Sequence, residues 1–165
     1  MTGPEFSRPL RTATVPAAGL ALRLEANAQE CAAIAARLGL LALHGFVAEL
    51  RLKPETAGGI RVEGDFSADL EQACVVSLEP VSQRVAESIA LRIIPEGQTP
   101  TEDPDAIDEV ETEHGLAELG EVLAQHLALA LDPYPRLEGA ELPVHGAADD
   151  AAGAFGALAR FRRPT

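Results

Sequence analysis

Three runs with period-two patterning follow one another through the middle of the chain. Phe46, Ala48, Leu50 and Leu52 alternate with Val47, Glu49, Arg51 and Lys53. Ile60, Val62, Phe66 and Leu70 share one parity against Arg61, Glu63, Asp65 and Asp69. Val81, Val85, Ile89, Leu91 and Ile93 do the same up to Pro95. Successive side chains of a strand point to opposite faces, so each run has one apolar and one polar side. The connection KPETAGG joins the first two runs with a proline and paired glycines, suited to a loop that needs positive φ. The pattern predicts an antiparallel meander with one face buried.

A sheet of this kind needs a cover, and the flanking sequence supplies two helical patterns. Asn27 followed by Glu30 reads as a helix N-terminus; Cys31, Ile34, Ala35 and Leu38 recur at helical spacing, and Gly39 supplies a left-handed stop. From Leu116 to Leu131 a second, longer pattern places Leu116, Leu119, Leu123 and Leu127 on one stripe, widened by Val122, Leu129 and Ala130, before Asp132, Pro133, Tyr134 and Pro135 end it. Gly19–Glu25 alternates as a further strand. Phe6–Val15 is a candidate strand restricted by Pro9 to an edge or bulge, and both would lie near the sheet margin. The expected fold class is α+β: an antiparallel meander packed against a short helix from the N-terminal half and a longer one from the C-terminal half. Residues 1–138 are expected to form one domain, and 139–165 a tail low in structure signals, with Phe155 and Leu158 able to dock it on the body.

The chain has 165 residues, 47% hydrophobic but only 4% aromatic, so the core is expected to be aliphatic. Its formal charge of −13 is unevenly placed. Residues 1–95 carry 9 bases and 11 acids, residues 96–135 carry 11 acids and no base, and residues 136–165 carry 4 of each. The acidic stretch 96–115 holds Pro100 and Pro104 and lacks apolar periodicity, which reads as a solvated loop. Its plain role is solubility; its sharper one is an acidic arm steering the chain toward a basic partner. DNA is not an expected partner, because affinity for phosphates comes largely from Lys and Arg. Glu118, Glu121 and His126 interrupt the apolar helix, so no membrane span is expected. Two cysteines and no recognisable leader point to a reduced, cytoplasmic protein.

Phosphate loops, dinucleotide glycine patterns, nucleophile elbows and paired-histidine metal motifs do not occur. His44, His114, His126 and His145 are scattered, and the acids fall mainly in loops or at outward strand positions. No catalytic residue is assigned. The rival class is a hydrolase-like enzyme with a carboxylate site, which requires two acids, or an acid and His126, to converge in a pocket. Cys74 stands before a turn at Leu78, Glu79 and Pro80, where zinc knuckles place a C-x-x-C pair, but Ser77 occupies the second position. A structural zinc wants four ligands. Neither a metal nor another cofactor is expected, and Cys31 and Cys74 read as small core residues.

The segment CVVSLEPV, the strand to Ile94, the acidic loop, the run ELGEVLAQHLALALDPYPR and, more loosely, the terminal AFGALARF resemble the YceD family of large ribosomal RNA accumulation proteins. Many relatives carry C-x-x-C at the turn and more cysteines after the helix; here Ser77 replaces the second cysteine, and Gly153 and Ala154 stand where the family has Asn-Pro before the terminal Phe. The resemblance implies a non-enzymatic factor in ribosome biogenesis, supporting synthesis or accumulation of large-subunit (23S) rRNA. Its partner would be a ribosomal protein or large-subunit rRNA precursor, with the acidity favouring a protein. Candidate partner contacts are Cys74, Ser77, Glu79 and Pro80 on the turn and Asp132, Pro133, Tyr134, Pro135 and Arg136 after the helix. Candidate RNA contacts are Arg84 and Arg92 on the outward strand face and Arg160, Arg162 and Arg163 in the tail.

Overall fold

The computed structural model describes residues 5–56, 58–101, 103 and 106–141. The alternating runs become three long strands, β3 (Ala42–Pro54), β4 (Ile60–Ala73) and β5 (Pro80–Ile94). They form the centre of a five-stranded sheet in the order β2-β3-β4-β5-β6, with β2 (Leu20–Glu25) antiparallel to β3 at one edge. The register keeps apolar partners on one face: Leu52 lies opposite Val62 and Val62 opposite Leu91, while Ala48 faces Phe66. At Gly64 the sheet coils so tightly that an added Cβ would collide with the carbonyl of Glu49 and lie 2.9 Å from Leu50 Cα. Only glycine fits there.

The helix α1 (Ala28–Leu38) forms as its ends require. Asn27 accepts the backbone N–H groups of Gln29 and Glu30, Glu30 returns a carboxylate to the Asn27 N–H, and Gly39 closes the helix at φ 67°. The second helix, α2, spans Leu119–Ala130. Both helices contribute to one buried cluster: Cys31 and Ile34 from α1, Leu119, Leu123 and Leu127 from α2, and the inward residues of β3, β4 and β5. Phe6, Phe46 and Phe66 run through this cluster in tilted and edge-to-face contact, with ring centroids 5.6 and 6.0 Å apart. The outward face is solvated and carries ion pairs such as Arg23–Glu49 at 2.7 Å and Arg84–Asp69 at 3.2 Å.

Four expectations change. The acidic segment is more than a loop, because Asp108–Glu111 adds to β5 as a parallel strand, β6. Glu109 is drawn in by Arg92 at 3.2 Å and by the N–H of Thr101 at 2.6 Å, and the latter first, then Arg92, hold its carboxyl below the usual range. The sheet is therefore a meander with a parallel edge. The second helix starts three residues late: Leu116–Glu118 is a strand, β7, entered through a tight turn in which His114 and Gly115 both have positive φ. Its partner is β1 (Pro9–Arg11), so the N-terminal strand lies in a separate two-stranded sheet and not at the margin of the large one. Leu129, expected to widen the buried stripe, is 83% exposed.

The N-terminal segment is tied down chemically. Arg8 makes a bidentate pair with Glu30 at 2.7 and 2.9 Å, reaches the Glu25 carbonyl at 2.8 Å and lies 4.4 Å over the Phe6 ring. Glu118 accepts from the Arg8 N–H and from the Ser7 hydroxyl. Arg37 on α1 pairs with Glu121 on α2, with two contacts of 2.7 Å. Gly120 then lets α2 touch the segment, since a Cβ there would collide with the Phe6 carbonyl.

Candidate functional site

The two segments singled out as partner contacts lie 60 positions apart and meet at one end of the sheet. The Val75 N–H donates to the Pro135 carbonyl at 2.9 Å, and the Gln72 amide donates to the Asp132 carbonyl at 3.1 Å. The Leu137 N–H donates to Cys74 Sγ at 3.3 Å. The chain leaving α2 is thereby sewn to the turn between β4 and β5. The turn is closed by its own bonds: Cys74 N–H to the Glu79 carbonyl at 2.8 Å and Leu78 N–H to the Cys74 carbonyl at 2.9 Å.

Cys74 is buried, as expected, but it is more than a small apolar filler. Its sulfur accepts from the N–H groups of Val76 and Ser77, both at 3.4 Å, as well as from Leu137. These donors favour the anion: the Leu137 N–H most, then the Ser77 hydroxyl, the Ser77 N–H and, less, the Val76 N–H pull the thiol down to about 6 against the opposing cost of burial. Cys31 shows the contrast. Burial chiefly, with Glu30 and Glu25 adding, pushes its thiol up.

A knuckle that binds metal presents sulfur to a cation; this one surrounds its single sulfur with N–H donors. Among the described residues, no group of three or more His, Cys, Asp and Glu side chains is placed to hold a metal ion. The arrangement does not fit a structural zinc, and the backbone bonds take the place of coordination.

Cys74 and Pro135 are sealed inside the junction and are withdrawn as surface contacts; their role is to hold it. Ser77, Glu79, Pro80, Asp132, Pro133 and Arg136 are exposed around it. Tyr134, also a candidate, is 74% exposed, and beside it stand apolar residues not named as contacts from the sequence: Val75 is 46% exposed, Leu78 75% and Leu137 38%. Leu78 also has φ 63°, in the left-handed region where a branched-chain residue is strained. A leucine there gains no packing in return, a signal that alternation and spacing do not carry.

The other candidates lie elsewhere. Arg84 and Arg92 are on the outward face of β5, as expected, but Arg92 is held by Glu55 at 2.7 Å and Glu109 at 3.2 Å, and Arg84 by Asp69. Arg160, Arg162 and Arg163, with Phe155, Leu158 and His145, lie outside the described residues. His126 stands 4.0 Å from Asp108 at the surface, and Asp108 is 73% exposed, so this pair lacks the enclosed setting a carboxylate–histidine centre needs. Depressions on the outward sheet face are lined by already paired groups, among them Arg23, Glu49, Asp69 and Arg84. No helix among the described residues is long and apolar enough to cross a membrane.

The family model described as large ribosomal RNA subunit accumulation protein YceD matches residues 62–153, from β4 through the turn, α2 and the junction. No curated protein and no solved structure matches the chain. With more than half of its length covered by that model, the chain belongs to the YceD family of large ribosomal RNA subunit accumulation proteins.

Proposed function

We propose that this chain supports large-subunit rRNA accumulation by binding a component of the assembling subunit, and that it does so in the cytoplasm without catalysing a reaction. The binding surface is the junction of the β4–β5 turn with the segment after α2. The observation that carries this reading is the exposure of Leu78 and Tyr134, 75% and 74%, on the two segments that the bonded pairs Cys74–Leu137 and Val75–Pro135 join. Apolar side chains held out by a hydrogen-bonded frame are suited to docking and add nothing to the core.

A ribosomal protein is the favoured partner over the rRNA precursor. The chain carries −13, and of the two described arginines offered for RNA, Arg92 is already neutralised from two sides. Ribosomal proteins are basic as a consequence of binding RNA, so their charge complements this surface. The test is recovery of the tagged full chain from cells at low salt, with identification of co-purifying proteins and RNA. Large-subunit proteins or rRNA precursor should be enriched over an unrelated acidic protein; enrichment of neither would overturn the reading.

A further inference from the structure

The apolar tip formed by Val75, Leu78, Tyr134 and Leu137 stands beside the point where the described chain ends. Leu137 is bonded to Cys74, and the last described residue, Glu141, follows four positions later. The remaining sequence, 142–165, carries Asp149 and Asp150 and then ends in AFGALARFRRPT; residues 151–165 hold three arginines and no acid. The exposed charged residues around the tip are Glu79, Asp132 and Glu138 against the single base Arg136, so the rim is acidic on balance. A cationic segment with apolar side chains is thus tethered to an apolar surface with an acidic rim. The fourteen positions from Glu141 to Phe155 can span up to roughly 45 Å when extended, so reach is no obstacle. Tethering raises the effective concentration of such a segment far above that of a free partner.

We propose that the chain's own C-terminal segment occupies this tip in the free protein, with Phe155 and Leu158 against Leu78 and Tyr134 and the terminal arginines over the acidic rim. The strained, exposed Leu78 then has a packing partner within the molecule. An external partner must displace the segment, so the segment sets the threshold for binding. This last consequence rests on the proposed function; the docking itself does not.

The chain contains one tyrosine, Tyr134, and no tryptophan, so tyrosine emission reports on the tip alone. Acrylamide quenching of the full chain should be weak beside that of free tyrosine amide. In Phe155→Ser/Leu158→Ser the protection should be lost, with the far-UV spectrum unchanged. Substituting Gln for Arg160, Arg162 and Arg163 should make the protection in the otherwise native chain weaker, as should high salt. Quenching of the unaltered chain as full as that of the free amide would overturn the proposal. So would protection that survives the Phe155/Leu158 substitutions, or that disappears on dilution together with a fall in molecular mass, which would identify a second copy as the occupant. Co-purification of subunit components is a separate readout, so failure of the docking and failure of the ribosomal reading are distinguishable.

Discussion

Cys74 Sγ accepts the backbone N–H of Leu137 at 3.3 Å, across 63 positions of chain. That bond joins the turn between two long strands to the segment leaving the last helix, and the sulfur holds the Val76 and Ser77 N–H groups as well.

Replacing Cys74 with Ala removes the acceptor of three N–H donors at once. The expected cost is about 2–3 kcal/mol, in the range for leaving buried donors unpaired. It should appear as a lower denaturant midpoint, with faster amide exchange at Leu137 than in the unaltered chain.

The same bonds make stability depend on pH. The folded thiol titrates near 6 against an ordinary value of 9.0, so between these the native state holds the thiolate and the unfolded state still holds the proton. By linkage, stability rises with pH across that window and this contribution is lost as pH falls through about 6. Thiolate absorbance in the folded chain should show one group titrating near 6, absent in Cys74→Ala, with Cys31 ionising only at high pH. A single alkaline titration in both chains would contradict this.

Leu78 at φ 63° and 75% exposure is a residue whose conformation favours glycine. Leu78→Gly is expected to leave the thermal midpoint unchanged or raise stability by up to about 1 kcal/mol, while recovery of the partner falls. A variant that is both less stable and equally competent would assign Leu78 to the fold instead.

Two glycines mark backbone contacts that leave no room for a side chain. Gly120→Ala drives a Cβ into the Phe6 carbonyl, and Gly64→Ala drives one into that of Glu49. Each is expected to cost at least about 2–3 kcal/mol, the upper range for overpacking, because backbone and not a flexible side chain must give way. Alanine elsewhere in α2 at the exposed Gln125 should be neutral in the same melting experiment.

The strands β3, β4 and β5 and the helix α1 were legible because each is fixed by local chemistry: alternation in the strands, Asn27, Glu30 and Gly39 at the helix ends. Leu116 was misplaced because Leu116, Leu119 and Leu123 fit a helical stripe, and only pairing with β1 pulls Leu116–Glu118 into a strand. The turn through His114 and Gly115 was the available signal. Asp108–Glu111 holds three acids, a residue type poor in strands, and its strand is supported by tertiary contacts: pairing with β5, Val110 against the core and the bonds that Arg92 and Thr101 donate to Glu109. At the site, spacing led to Cys74 and to the prolines, but burial decides which of them can meet a partner. Tyr134 was among the sequence candidates, but the exposed Val75, Leu78 and Leu137 emerge beside it only when two distant segments are brought together.

The most direct test of the central claim measures the large- to small-subunit rRNA ratio in cells that lack the native gene and express either the unaltered chain or Leu78→Ser/Tyr134→Ser. Both residues are exposed, so the doubly substituted chain should fold, as its melting curve would show. The expected result is that the unaltered chain restores large-subunit rRNA and the folded double variant does not. Full restoration by the double variant would contradict the assignment of the Cys74–Leu137 junction as the working surface.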